Sequence, residues 1–81
     1  MPMYIKILGP ATKQAEKLLQ NTAIAVKKLK LDAKYEKINE FKKVVPYGIM
    51  ALPALVIDGK VVSSGIVLEV EEAMHLLEQM I

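Results

Sequence analysis

The sequence contains no cysteine, no tryptophan and no arginine, and only one histidine and one phenylalanine among its 81 residues. Without cysteine the chain can form neither disulfides nor thiolate metal sites, and it has no thiol nucleophile. The single histidine, His75, cannot build a histidine-rich metal centre and is expected to form a surface ion pair with Glu71. We therefore expect no metal and no cofactor.

Basic and acidic residues are unevenly distributed along the chain. All 11 basic residues are lysines at or before Lys60, where they accompany 5 acidic residues, while the last 21 residues carry four glutamates and no lysine. This pattern is typical of two solvated faces of opposite sign, with nucleic-acid binding as the alternative. The absence of arginine for reading guanine, and of an aromatic cluster for stacking bases, favours the first interpretation. No nucleic-acid partner is expected.

The length and composition predict one globular domain over residues 1–81. Hydrophobic residues make up 53% of the chain and charged residues 25%, which is ordinary for a folded domain. No apolar run approaches the ~20 residues that cross a bilayer. The first eight residues read as a strand and not as a signal peptide. A cytoplasmic protein without membrane contact is the expectation, and the sequence carries no signal for its oligomeric state.

Three elements are predicted in the first half of the chain. Tyr4–Leu8 has the aromatic and β-branched residues of a strand and is stopped by Gly9 and Pro10. Apolar residues at helical spacing then predict an amphipathic helix from about Thr12 to Lys30, with Thr12 as its N-cap. The charged segment Asp32–Ile38 is typical of a strand at a sheet edge.

The middle of the chain predicts a short helix followed by a buried strand. Asn39 is expected to cap a helix that starts at Glu40 and is stopped or kinked by Pro46, which lacks a backbone N–H. After a connection, Ala54–Ile57 forms a continuous apolar run, as in a strand that is buried on both faces.

The last third of the chain completes an α/β fold. Asp58-Gly59 predicts a tight turn into an antiparallel strand at Lys60–Ser63, and a helix is expected from Val70 to Ile81. The order β-α-β-α-β-β-α indicates a four-stranded mixed sheet with helices on both faces. A ferredoxin-like β-α-β-β-α-β sandwich is the alternative, but it requires a strand after the last helix.

Two separated segments resemble the thioredoxin family. The run from Tyr47 to Ile57, followed by Asp58-Gly59, is similar to the segment of thioredoxins in which a proline precedes a buried strand and a short turn. Ile7-Leu8-Gly9 and Pro53–Val61 also match a small branch, the redox-active-disulfide protein 2 type, which is thioredoxin- and glutaredoxin-like. The resemblance implies a thioredoxin-like fold over almost the whole chain.

The same resemblance places the two active-site cysteines of the family on Thr12 and Ala15. In the family, the first cysteine lies at a helix N-terminus, which stabilises its thiolate, and the second resolves the mixed disulfide. Neither threonine nor alanine can take part in thiol exchange, so no catalytic residue is assigned. Two hypotheses remain: a redox-inactive binding module, or an oxidoreductase whose native cysteines at positions 12 and 15 were replaced. Because engineered replacements are usually uniform, the difference between the two residues favours natural loss.

Five residues are candidates for a binding site. Pro53 is either a proline that starts a strand or, as the resemblance implies, a cis-proline beside which the Leu52 backbone pairs with an extended peptide. Thr12 is a simple cap or a hydroxyl that contacts a ligand. Met50 is core filler or a flexible apolar contact at the cleft, and Lys13 could favour an acidic partner. The expected partner is an extended peptide or another protein.

Overall fold

All seven predicted elements are present in a computed structural model that describes residues 1–81. The strands are β1 (Met3–Leu8), β2 (Ala33–Ile38), β3 (Ala54–Ile57) and β4 (Lys60–Ser64). The helices are α1 (Lys13–Lys28), α2 (Phe41–Val44) and α3 (Val70–Glu78), and a 3-10 turn at Val45–Tyr47 extends α2.

The strands form one mixed sheet in the order β2-β1-β3-β4. β1 runs parallel to β2, with Ile5 opposite Tyr35, and antiparallel to β3, with Leu8 opposite Ala54. β3 is also antiparallel to β4. This arrangement confirms the predicted thioredoxin-like α/β architecture, with β3 in the interior of the sheet and β4 at its edge.

Helices cover both faces of the sheet. α1 and α3 pack on one face, where Ile5, Leu55 and Ile57 meet Leu18 and Leu77 in the larger core. The opposite face carries a smaller core made of Leu8, Ile38, Val44, Ala54 and Val56, and α2 covers it through Val44. All four β3 side chains are buried, in agreement with the continuous apolar run.

The β3–β4 hairpin contains a tight turn and a β-bulge. Asp58 and Gly59 both have positive φ, 49° and 83°, which is the conformation of the hairpin turn that Asp-Gly favours. The Asp58 carboxylate also accepts a hydrogen bond of 2.8 Å from the Tyr4 N–H. A register shift at Leu55/Val56 marks a β-bulge, which the sequence did not predict.

Four local predictions are corrected by the structure. α1 ends at Lys28, two residues before the predicted Lys30, although Thr12 is its N-cap as expected. α3 ends at Glu78, three residues before the predicted Ile81. Asn39 does not cap α2: the chain enters the helix one residue later, and Glu40 is the N-cap, without a side-chain hydrogen bond. The His75 ring contacts the Gln79 amide at 3.1 Å, one turn further along α3, and makes no ion pair with Glu71.

None of the helices has the length and apolar character needed to traverse a bilayer.

The packing of α1 on the sheet predicts a large contrast between its two faces. Leu18 is fully buried, so Leu18→Ala should lower the free energy of unfolding by about 2–5 kcal/mol, since it removes buried methyl groups and leaves a cavity. Urea denaturation measures the loss. The control is Ile24→Ala on the same helix, where the side chain is 45% exposed and the expected loss is below about 1 kcal/mol. Similar losses for the two variants would contradict the described packing.

Candidate functional site

The loop after β1 and the segment before β3 lie side by side. The register that pairs Leu8 with Ala54 brings Gly9 close to Leu52 and Pro53. A methyl group placed on Gly9 would lie 3.3 Å from the Leu52 Cβ and 3.6 Å from the Pro53 Cα. The Leu52–Pro53 peptide bond is cis. The chain therefore enters α1 within a few residues of its contact with Pro53.

Thr12 closes the N-terminus of α1. Its Oγ1 accepts a hydrogen bond of 3.1 Å from the Ala15 N–H, and its carbonyl accepts one of 3.0 Å from the Glu16 N–H. The side-chain bond satisfies one of the backbone donors that lack a partner at the start of a helix. Thr12 is exposed while Ala15 is buried, so one turn of helix links a surface position to an interior one.

A cleft of about 250 Å³ lies between the start of α1 and the segment before β3. We call it the Thr12–Pro53 cleft. Its lining is uncharged and comes from three parts of the chain: Pro10, Thr12, Gln14, Leu52, Pro53, Gly65 and Val67. The sequence predicted three of these residues, namely Thr12, Leu52 and Pro53, and the structure brings them together.

The far wall of the cleft is the segment after β4, which sequence reasoning missed. The Gly65 N–H donates to the Pro53 carbonyl at 2.9 Å. The side-chain amide of Asn21, which is buried in α1, donates to the Leu68 carbonyl at 2.8 Å. These two bonds tie the wall to Pro53 and to α1. The sequence did contain a signal for this contact. Asn21 is a polar residue on the apolar face of the predicted helix, and a buried side-chain amide needs a hydrogen-bond partner.

Met50 and Lys13 were predicted near the site, and neither lines the cleft. Met50 is fully exposed at 101%, so it is not core filler. It lies two residues before Leu52, in the connection that leads to the cleft. Lys13 is exposed as the first residue of α1. Both side chains therefore belong at most to the surroundings of the cleft.

The backbone of Leu52 is available for pairing. Neither its N–H nor its carbonyl takes part in a hydrogen bond within the chain, and its side chain is 40% exposed. Pro53, the next residue, is buried and its carbonyl is occupied by Gly65. Leu52 therefore has one donor and one acceptor without a partner in the chain, on a residue that lines the cleft. An added strand needs such a free pair of backbone groups.

One ion pair lies in the first turn of α1. The Lys37 ammonium on β2 lies 2.6 Å from the Glu16 carboxylate on α1, and both side chains are about half exposed. Such a pair contributes roughly 0–1 kcal/mol to stability. Burial raises the pKa of the Tyr35 phenol, but Tyr35 lies on the outer strand β2 and does not line the cleft.

The chain has neither a thiol nor a cluster of metal-ligating side chains. There is no cysteine, and no three His, Asp or Glu side chains come together as a possible set of metal ligands. The Thr12 hydroxyl has no neighbouring base among its hydrogen-bond partners. What the cleft offers is hydrogen bonding by the Leu52 backbone and contact with uncharged side chains.

Comparison with known proteins agrees with this geometry. A family model described as the thioredoxin domain matches residues 3–78. The chain belongs to the thioredoxin family. It is also 37% identical over 75 residues to a protein named thioredoxin from Methanothermobacter thermautotrophicus, an alignment that covers 93% of this chain and 97% of that protein. This member of the family is free of cysteine, with Thr12 and Ala15 at the positions to which the sequence resemblance assigns the family cysteines.

The close approach of Gly65 to Ala51 gives a test of the cleft wall. Gly59 and Gly65 both have positive φ, 83° and 77°, but only at Gly65 would a methyl group collide, at 2.7 Å from the Ala51 Cβ. Alanine in this conformation costs about 1–2 kcal/mol through backbone strain alone. Gly65→Ala should therefore lower the free energy of unfolding more than Gly59→Ala in chemical denaturation. In an Ala51→Gly background the difference should largely disappear, and its persistence would contradict the described contact.

The cap geometry predicts that a cysteine pair introduced at residues 12 and 15 can form a disulfide. Thr12→Cys combined with Ala15→Cys should form a disulfide under mild oxidant. The Cβ atoms of such a pair lie about 5–6 Å apart in a regular helix, wider than the ~3.8 Å of a disulfide, so the backbone at the cap must adjust. In the reduced protein, the thiol at position 12 should have a pKa below the ~8.5 of a free cysteine because of the helix terminus. Thiolate absorbance during a pH titration measures this pKa.

Two controls accompany this pair. Gln20→Cys places a thiol at an exposed position within α1, away from the helix end, and its pKa should stay near the ordinary value. The unsubstituted chain has no thiol to attack a disulfide, so with dithiothreitol it should reduce insulin no faster than the blank without protein. A double variant that folds but keeps two unperturbed thiols would contradict the placement of residues 12 and 15.

Proposed function

We propose that this thioredoxin-family domain is a redox-inactive module that binds an extended peptide segment, or a partner protein through such a segment, at the Thr12–Pro53 cleft. The observation that carries the proposal is the unpaired N–H and carbonyl of Leu52 beside an uncharged cleft. A peptide strand aligned with Leu52 would satisfy both groups, and its side chains would contact the cleft lining. This mode of recognition is β-strand addition on the scale of one residue pair.

The lining of the cleft supports an uncharged segment as the occupant. Charged side chains are absent from the lining, and Glu16, four residues after Thr12, pairs with Lys37. An acidic partner, for which Lys13 is the candidate contact, would find no charged group in the lining itself. We also propose that the chain is related to the redox-active-disulfide protein 2 branch, on the basis of Ile7-Leu8-Gly9 and the segment Pro53–Val61.

A thiol–disulfide oxidoreductase is the second candidate, and it applies if the natural protein carries cysteines at positions 12 and 15. The geometry favours it in one respect: position 12 is exposed at a helix start while position 15 is buried one turn later. That is the arrangement of an attacking and a resolving thiol. The natural coding sequence at these two codons distinguishes the two candidates.

Selection from a display library of random linear peptides tests the binding module. Peptides that bind should protect the Leu52 amide from hydrogen exchange, since they pair with it. Leu52→Ala should weaken them by about fivefold or more through lost apolar contact. Ile24→Ala is the matched control, because Ile24 is similarly exposed (45% against 40% for Leu52) and lies 12 residues after Thr12, about 18 Å along α1. If the selected peptides leave the Leu52 amide unprotected, or if both variants weaken them equally, binding at this cleft is wrong.

A further inference from the structure

Sulfur chemistry in this protein is restricted to methionine thioethers, because the chain has five methionines and no cysteine. A thioether reacts with peroxide according to how accessible its sulfur is. The five side chains differ widely in this respect. Met3 is buried at 8% exposure, Met74 and Met80 are partly buried, and Met1 and Met50 are fully exposed. Within the folded body of the chain, Met50 is therefore the most accessible sulfur.

Met50 and Met1 lie at different ends of the molecule. Met1 lines a groove with Met3, Asp58 and Met80, beside the β3–β4 turn and the C-terminus. Met50 precedes Leu52 by two residues, and the intervening Ala51 packs against Gly65 of the cleft wall. Oxidation of Met1 thus changes a surface remote from the cleft, whereas oxidation of Met50 changes the surface beside it.

We propose that Met50 is an oxidation site at which conversion to the sulfoxide regulates the Thr12–Pro53 cleft, a regulation that rests on the binding function proposed above. The oxidant is a hydroperoxide. The Met50 sulfur attacks one peroxide oxygen, the O–O bond breaks, and the oxygen is transferred to sulfur. The methionine is oxidised by two electrons, while the other peroxide oxygen leaves with a proton as water or an alcohol.

The sulfoxide changes the character of the cleft surroundings. Met50, Leu52 and Ile66 are large apolar side chains that are exposed within two residues of the cleft lining, at 101%, 40% and 52%. A partner segment that extends from the cleft past Leu52 towards Met50 would contact this apolar rim. Oxidation replaces the flexible thioether of Met50 with a polar, chiral group, so it removes one apolar contact and leaves the Leu52 backbone unaltered.

Limited treatment with hydrogen peroxide followed by peptide mapping tests the site itself. Sulfoxide should form at Met50 about tenfold faster than at Met3, in line with exposures of 101% and 8%, and as fast as at Met1. In the unfolded chain every methionine is accessible to peroxide. In denaturant, Met50 and Met3 should therefore be oxidised at the same rate. If Met50 reacts no faster than Met3 in the folded protein, the proposal is wrong.

The regulatory step is tested with the peptides selected from the display library. Peroxide should weaken their binding to the wild-type protein and to Met1→Leu by about fivefold or more, the order expected for one apolar contact. The Met50→Leu variant keeps the apolar volume and cannot be oxidised, so its binding should withstand peroxide. An equal loss of binding in oxidised Met50→Leu would overturn the regulation.

A separate measurement distinguishes failure of this inference from failure of the binding function. If no peptide binds even the untreated protein, the binding function is wrong. The amide chemical shifts of Leu52 and Gly65 then still show whether oxidation of Met50 affects the cleft. They should move on peroxide treatment of the wild-type protein and of Met1→Leu, but not of Met50→Leu. Shifts that stay unchanged in oxidised wild-type protein would show that Met50 does not communicate with the cleft.

Discussion

The antiparallel pairing of β1 with β3 determines where the cleft forms. β3 is buried on both faces, with Leu55 and Ile57 on one side and Ala54 and Val56 on the other. Because side chains alternate along a strand, a shift of one residue would reverse both faces, so the register is strongly specified. That register fixes Leu8 opposite Ala54, which brings the loop before α1 against Pro53. The cleft follows from core packing and needs no cysteine to hold its shape.

Threonine at the start of α1 can fill one role of the cysteine that the sequence resemblance assigns to this position, but not the other. A helix N-terminus needs an acceptor for its free N–H groups, and the Thr12 hydroxyl provides it to Ala15. The same end of the helix would stabilise a thiolate, but a threonine hydroxyl does not ionise at physiological pH. Thr12 thus caps the helix but cannot supply the thiolate that the resemblance assigns to this position.

The sequence was sufficient for the fold because its signals are local and mutually consistent. The apolar run of β3, the Asp58-Gly59 turn and the helical spacing after Thr12 each predicted one element, and their order predicted the sheet. The far wall of the cleft was not predictable in this way. Asn21 and Leu68 are 47 residues apart, and their hydrogen bond exists only after α1 and α3 have packed on the same face. The exposure of Met50 likewise could not be predicted, because Met50 lies in an irregular connection where no periodic pattern of apolar residues indicates which side chains are buried.

The distribution of charge restricts the forces that can act at the cleft. The lysines and glutamates that divide the sequence into a basic and an acidic part lie on solvated surfaces, and the cleft lining contains none of them. At 0.1 M ionic strength, salt largely screens the interaction between exposed charges that lie more than about 10 Å apart. Peptide recognition of the kind proposed would therefore depend on short-range contacts: the two backbone groups of Leu52 and the apolar side chains around them. Because the backbone contribution is independent of sequence, any selectivity among peptides has to come from the side chains, and a change in polarity at a single rim residue can alter it.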